Sequence, residues 1–218
     1  MAVQIQGNGG TVAEVDGTSY RAQRITQRPL DAGTLGHYKL AVNIALVATQ
    51  AANGTLFSFR WADATRLCAL QFVRLRCLQT AAATATIMPS FEVFQARSFS
   101  ASDTAGTSIL PTLNNAKRRT SMGATLLTDM RVSALAAGLT AGTRTLDAQP
   151  VMILPTQQAI TTPNATVHES VFDSTDGDHP LIFATNEGFI VRGPTVAFGA
   201  AGTANLIVNI GWVELAAF

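Results

Sequence analysis

Apolar residues occupy alternate positions in several separate stretches of this chain. From His37 onward, Tyr38, Leu40, Val42, Ile44 and Leu46 are apolar, with Lys39, Ala41 and Asn43 between them. Period two is the mark of a strand with one buried face, because successive side chains point to opposite sides. The run Leu56 to Trp61 repeats the form, with Phe57, Phe59 and Trp61 on one face and Ser58 and Arg60 on the other. Asn53-Gly54 precedes it, and that dipeptide is the favoured two-residue hairpin turn. The two runs are therefore expected to form a hairpin whose aromatic row is buried.

From Arg66 to Leu78 the alternation starts with Cys68, Leu70 and Phe72 and then slips to Val73, Leu75 and Cys77. A one-residue slip predicts a β-bulge that bends the strand. Phe91 to Phe99 is a further strand, apolar on both sides. Leu206, Val208, Ile210 and Trp212 mark a long closing strand. Shorter strands are predicted at Arg131 to Leu135, Thr143 to Leu154, Val167 to Phe172, Leu181 to Thr185 and Phe189 to Arg192. Between Asn114 and Gly142 the pattern is mixed: Met122, Leu126 and Met130 have helical spacing, but Gly123 and Gly138 interrupt it, which leaves a short helix or an irregular loop. Nine or ten strands separated by turn residues predict a mainly β chain, an antiparallel β-sandwich or jelly-roll-like domain rather than an α/β fold.

The first 36 residues lack a sustained apolar period and carry Gly7, Gly9, Gly10, Gly17, Gly33 and Gly36. They read as an extended N-terminal arm with one short strand near Thr18 to Thr26, followed by a single β domain over residues 37–218. Met1 to Gly10 has neither the basic start nor the apolar stretch of a secretory signal, so the mature chain is expected to begin near Met1.

Composition sharpens this picture. Only 13% of residues are charged, against 47% hydrophobic, about half the usual charged share of a soluble domain. Such a chain hides surface against partners, enters a membrane or aggregates. No stretch approaches the ~18 apolar residues of a spanning helix, which favours partners and predicts no membrane association. Leu135 to Thr143 and Thr195 to Ile210 are almost free of charge, so strand edges formed there would lack their usual guards. Closed self-association is the expected remedy. A net charge of +1 gives no field to draw nucleic acid. Cys68 and Cys77 lie nine residues apart on one extended segment, too far at ~3.3 Å per residue for a disulfide, and read as small core residues of a chain made in reducing cytoplasm.

Candidate chemistry is sparse, and no catalytic residues or cofactor are assigned. His37, His168 and His179 have no metal-site spacing, and no nucleophile elbow or phosphate-binding loop occurs. The sharpest polar cluster is Asp173, Asp176, Asp178 and His179, in the sequence DSTDGDHP. Three carboxylates around Gly177 suit a hard cation such as calcium. The spacing is not that of an EF-hand, and aspartate is also an ordinary turn residue, so a solvated turn is the preferred reading. Lys117-Arg118-Arg119 is the only basic run; without interleaved aromatics it reads as a solvated loop or a salt bridge to a neighbouring subunit. Trp61 and Trp212 sit on apolar strand faces and are expected in the core.

Ala13-Glu14-Val15-Asp16, Arg21-Ala22-Gln23-Arg24, Arg28-Pro29-Leu30-Asp31, Leu35-Gly36-His37-Tyr38 and Phe57-Ser58-Phe59-Arg60-Trp61 together resemble a group of tailed-bacteriophage proteins that carry RPxDxGxLGHY followed by FxFRWxD. Asn186-Glu187-Gly188-Phe189 and Trp212-Val213-Glu214 are similar to that group's C-terminal part. The resemblance implies a virion protein made in the bacterial host cytoplasm. The length fits a cement or decoration protein, often trimeric, that binds the phage major capsid protein. A receptor- or glycan-binding tail component is the alternative it leaves open.

Overall fold

The computed structural model describes residues 5–6, 12–13, 36–112, 115–133, 136–160, 168–173 and 180–216. The chain divides into two compact units between Gly33 and Thr34. In the first unit β1 (Ile5–Gln6) pairs antiparallel with β2 (Val12–Ala13). The strand expected near Thr18 to Thr26 lies outside the described residues.

The second unit is an antiparallel β-sandwich, as the alternating pattern predicts. Its strands are β3 (Gly36–Leu46), β4 (Thr55–Trp61), β5 (Arg66–Ala81), β6 (Ser90–Phe99), β7 (Gly106–Ser108), β8 (Asp129–Ser133), β9 (Arg144–Leu146), β10 (Met152–Pro155), β11 (His168–Asp173), β12 (Leu181–Phe183), β13 (Glu187–Arg192) and β14 (Thr203–Ala216). One sheet runs β11-β5-β14-β3, with β12 also on β5; the other runs β10-β6-β13-β4-β8-β7, with β9 also on β6. Among the described residues there is no helix, and residues 115–128 form turns and irregular backbone. Met130 belongs to the core while Leu126 is exposed, so their helical spacing has no helical counterpart.

The expected hairpin at Asn53-Gly54 does not form. β3 pairs with β14 and β4 pairs with β13 and β8, so the two runs lie in different sheets. The physical reason is the distance between them: residues 47–54 separate the strands, long enough to cross from one layer to the other. Asn53 still turns, with φ 57°, and its amide donates to the Pro194 carbonyl at 2.7 Å. The aromatic row is nevertheless buried as expected, with Phe57, Phe59 and Trp61 all inaccessible to solvent.

The bulge in β5 is present one position earlier than the apolar pattern places it. Gly211 pairs with Phe72 and Trp212 with Leu70, which leaves Gln71 as the extra residue. Cys68, Leu70, Val73, Leu75 and Cys77 consequently share the inner face, and Phe72 falls on the outer one. There it lies over Gly211, where a Cβ would overlap the ring. Lys39 and Arg74 approach the same ring at 5.7 and 5.4 Å from its centroid, a cation–π geometry.

The core is aromatic at its centre. Phe59 from one sheet meets Trp212 and Phe183 from the other at 5.8 and 6.0 Å, and Phe189 beside it at 5.3 Å. Such tilted and offset pairs add attraction beyond area burial. A smaller cluster of Phe94, Ala96, Phe99 and Ile190, with Leu146 against it, covers the opposite face of β6 and β13. β14, which runs through the charge-poor stretch Thr195 to Ile210, is no edge: it lies in the middle of its sheet, between β5 and β3.

Candidate functional site

The residues that carry chemistry are dispersed. Asp173 ends β11 opposite Phe72, is buried, and accepts from the Arg74 guanidinium at 2.9 Å. Asp176, Asp178 and His179 lie outside the described residues. Among the described residues no group of three His, Cys, Asp or Glu side chains is placed to hold a metal ion. His37 on β3 and His168 on β11 stand on opposite outermost strands of one sheet.

The basic run is docked along β3. The Lys39 amide donates to the Ala116 carbonyl at 2.8 Å, and the Arg118 amide to the His37 carbonyl at 3.0 Å. The Arg118 guanidinium reaches His37 Nε2 at 3.2 Å, while Arg119 donates to the Ser121 hydroxyl. Arg118 and Arg119 are both exposed.

Four of the segments that carry the phage resemblance are brought together in two pairs, while those between residues 14 and 31 lie outside the described residues. Trp61, Arg60 and Phe59 stand opposite Glu187, Gly188 and Phe189. Gly188 is needed there, since a Cβ would run into the Phe59 carbonyl. Arg60 donates to Asn186 Oδ1 at 2.7 Å and to the Ser102 hydroxyl at 2.8 Å, and Asp129 lies 3.5 Å away. Trp61 Nε1 donates to the Arg66 carbonyl at 2.8 Å. Between them the Asp63 carboxylate accepts from the amides of Thr65 and Arg66, the turn typical of aspartate. The Thr65 amide is the main cause that holds the Asp63 carboxyl below its ordinary range.

The second pairing sets Gly36, His37 and Tyr38 opposite Glu214, Val213 and Trp212. The Tyr38 and Trp212 rings stack at 5.4 Å, and the Tyr38 hydroxyl donates to the Gly123 carbonyl at 3.1 Å. Glu214 is a buried carboxylate in a strand without any other charged residue. Its Oε1 accepts from the Thr125 hydroxyl at 2.6 Å and the Leu126 amide at 2.9 Å. Burial pushes the Glu214 carboxyl up, and those two donors pull against it. Burial and the nearby Glu214 charge push Tyr38 to about 12, and burial first, then Glu214, pushes the Cys68 thiol up. Cys77 is pushed to about 12 by burial. Nucleophilic thiol chemistry needs the thiolate, so the environment of both cysteines suits core packing.

Glu214 was legible only as an acidic residue in Trp212-Val213-Glu214, and its role as the latch for residues 125–126 has no signal in spacing. The same holds for Asp103, whose fully buried carboxylate meets Arg144 and accepts from the Gly142 amide at 2.7 Å. Arg144 also donates to the Thr55 hydroxyl at 2.6 Å. Both arrangements tie loops to the sandwich by charge-assisted hydrogen bonds. No family model matches the chain, and no curated protein matches it.

Proposed function

We propose that this chain is a non-enzymatic structural protein of a bacteriophage virion, a capsid cement or decoration protein that associates with itself and with the phage major capsid protein. The observation that carries the reading is the apolar exposure on strands at one side of both sheets. Val151 and Ile153 at β10, and Val171 and Ile182 on β11 and β12, are 39 to 49% exposed. These are branched side chains whose burial against a partner is favourable at roughly 25 cal/mol per Å². The low charge content supports the same reading, since apolar strands at a surface call for cover.

The motif side chains support it in a second way. Tyr38, Phe57, Phe59, Trp61 and Trp212 all lie in the core, so what the resemblance preserves is architecture, the property a shell component requires. Three copies per assembly come with the resemblance to cement proteins alone. Quantitative mass spectrometry of purified particles tests the reading: hundreds of copies fit a decoration protein, a few copies move the chain to the tail, and none would overturn it.

A further inference from the structure

We infer that the end of the sandwich at which the chain crosses between its two sheets is a contact surface, seated against the same end of a second copy. The inference rests on the self-association part of the proposed function and gives it a site.

Four connections pass from one sheet to the other: residues 47–54 between β3 and β4, 82–89 between β5 and β6, 156–167 between β10 and β11, and 193–202 between β13 and β14. Their described parts are knitted into one cap. The Ala83 amide donates to the Ala159 carbonyl at 3.0 Å and the Thr49 amide to the Gly199 carbonyl at 2.9 Å. The Phe198 amide donates to the Gln50 carbonyl at 3.0 Å, and Gly199 lies against the Thr84 hydroxyl. A surface held in this way is formed before a partner arrives and loses little freedom on binding.

The cap is also neutral. None of the four connections contains an aspartate, glutamate, lysine, arginine or histidine, whereas those at the opposite end hold Asp63 and the run Lys117-Arg118-Arg119. Val47, Met88, Ile160 and Val196 stand out from the cap, 42, 74, 57 and 48% exposed. Large apolar side chains gathered on an uncharged surface mark a place that a partner covers.

Neutrality decides the occupant. A charged partner surface would shed its hydration here and find no counter-charge, so the surface that fits is neutral and apolar too. A bilayer fits poorly, because the cap has no basic residue for headgroups and its phenylalanine, Phe198, is buried. The same end of a second copy meets the requirement. Other surfaces of the unit do not: Lys39, Arg74 and Arg76 lie on the outer face of one sheet, and Arg60, Arg131 and Arg192 on that of the other. The apolar side chains at β10 and β11 lie among Glu92, Glu169 and Asp173. β3 begins and β14 ends at the far end of the sandwich, so the chain enters and leaves the unit away from the contact. Two like patches that face each other close at two copies, in place of the three that the resemblance implies.

Sedimentation velocity of the full chain should show a dimer at micromolar concentration. Met88→Glu and Val196→Glu each bury a carboxylate from both copies in a neutral contact and should weaken that dimer roughly tenfold or more. Both side chains are exposed, so the variants should fold with unchanged circular dichroism. Ile153→Glu, on β10 and outside the cap, is the control and should dimerise as tightly as wild type. A wild-type monomer, a trimer, cap variants that dimerise as tightly as wild type, or a control weakened equally would each overturn the inference. So would a monomer that floats with phosphatidylcholine vesicles, which would assign the cap to a lipid surface. A chain that dimerises in this way yet is absent from particles would leave the contact standing and remove the virion reading.

Discussion

Truncating Phe59 to alanine should remove the contact that joins the two sheets. The ring is fully buried and touches Trp212 and Phe183 across the interface and Phe189 within its own sheet. A buried aromatic ring removes about 150–250 Å² from water, which at ~25 cal/mol per Å² bounds its contribution near 4 to 6 kcal/mol. Its neighbours are themselves locked by the same cluster and cannot collapse fully into the hole, so the expected loss is about 3–5 kcal/mol. For a unit of this size that corresponds to a fall in melting temperature of roughly 6–20 °C. Urea unfolding followed by tryptophan fluorescence measures it, since Trp61 and Trp212 are both buried, and the midpoint should shift with little change in slope. Phe72→Ala is the control: that ring is half-exposed on the outer face, and its loss should cost about 1 kcal/mol. A Phe59→Ala loss below about 1 kcal/mol, or one no larger than that of Phe72→Ala, would refute the placement of the row at the centre of the core.

Other consequences follow from the buried polar groups and the arm. Glu214→Ala should cost about 1–3 kcal/mol by leaving the Leu126 amide and Thr125 hydroxyl without their acceptor, whereas Glu214→Gln should keep an acceptor and cost less. Because the folded carboxyl is raised above its unfolded value, wild-type stability relative to Glu214→Gln should fall as pH rises from the ordinary glutamate range through the raised value. A pH-independent difference would contradict that cause. Asp103→Ala strands the buried Arg144 guanidinium and should cost about 3–5 kcal/mol in denaturant unfolding; a loss under 1 kcal/mol would show the pair to be solvated. Chelation should leave the melting temperature unchanged, and a clear drop would assign a cation to Asp173, Asp176 and Asp178. Deleting residues 1–30 should leave the β unit folded by circular dichroism while weakening incorporation into particles; normal incorporation would remove the arm from the assembly.

The strands were legible wherever one face is buried and the other wet. Tyr38 to Leu46 and Leu206 to Trp212 alternate because each side meets a different medium, and the slip near Gln71 showed as a change of phase. Pairing was not legible in the same way. β3 is bound by β14, more than 150 residues further along the chain, and no local signal competes with the hairpin dipeptide at Asn53-Gly54. A turn residue records the local φ it must adopt, not which strand the chain joins afterwards. β7 and β9 are three-residue strands with exposed or half-buried side chains, too short to carry a period. Phe72 was misplaced because an aromatic residue reads as core, although here it shields a glycine on the outer face. Glu214 and Asp103 escaped notice because what makes them special is burial, a property conferred by distant loops. The acidic cluster was legible as chemistry, but Asp173, its described member, spends its carboxylate on Arg74.

The central claim, that this sandwich is a component of a virion shell, is tested most directly by electron cryomicroscopy of the intact particle. Density for the two-sheet unit is expected on the outside of the capsid, repeated over the shell, with β10, β11 and β12 against a neighbour and their exposed valine and isoleucine side chains covered. Particles whose shell shows no such density, with the chain absent or confined to a tail tip, would contradict it.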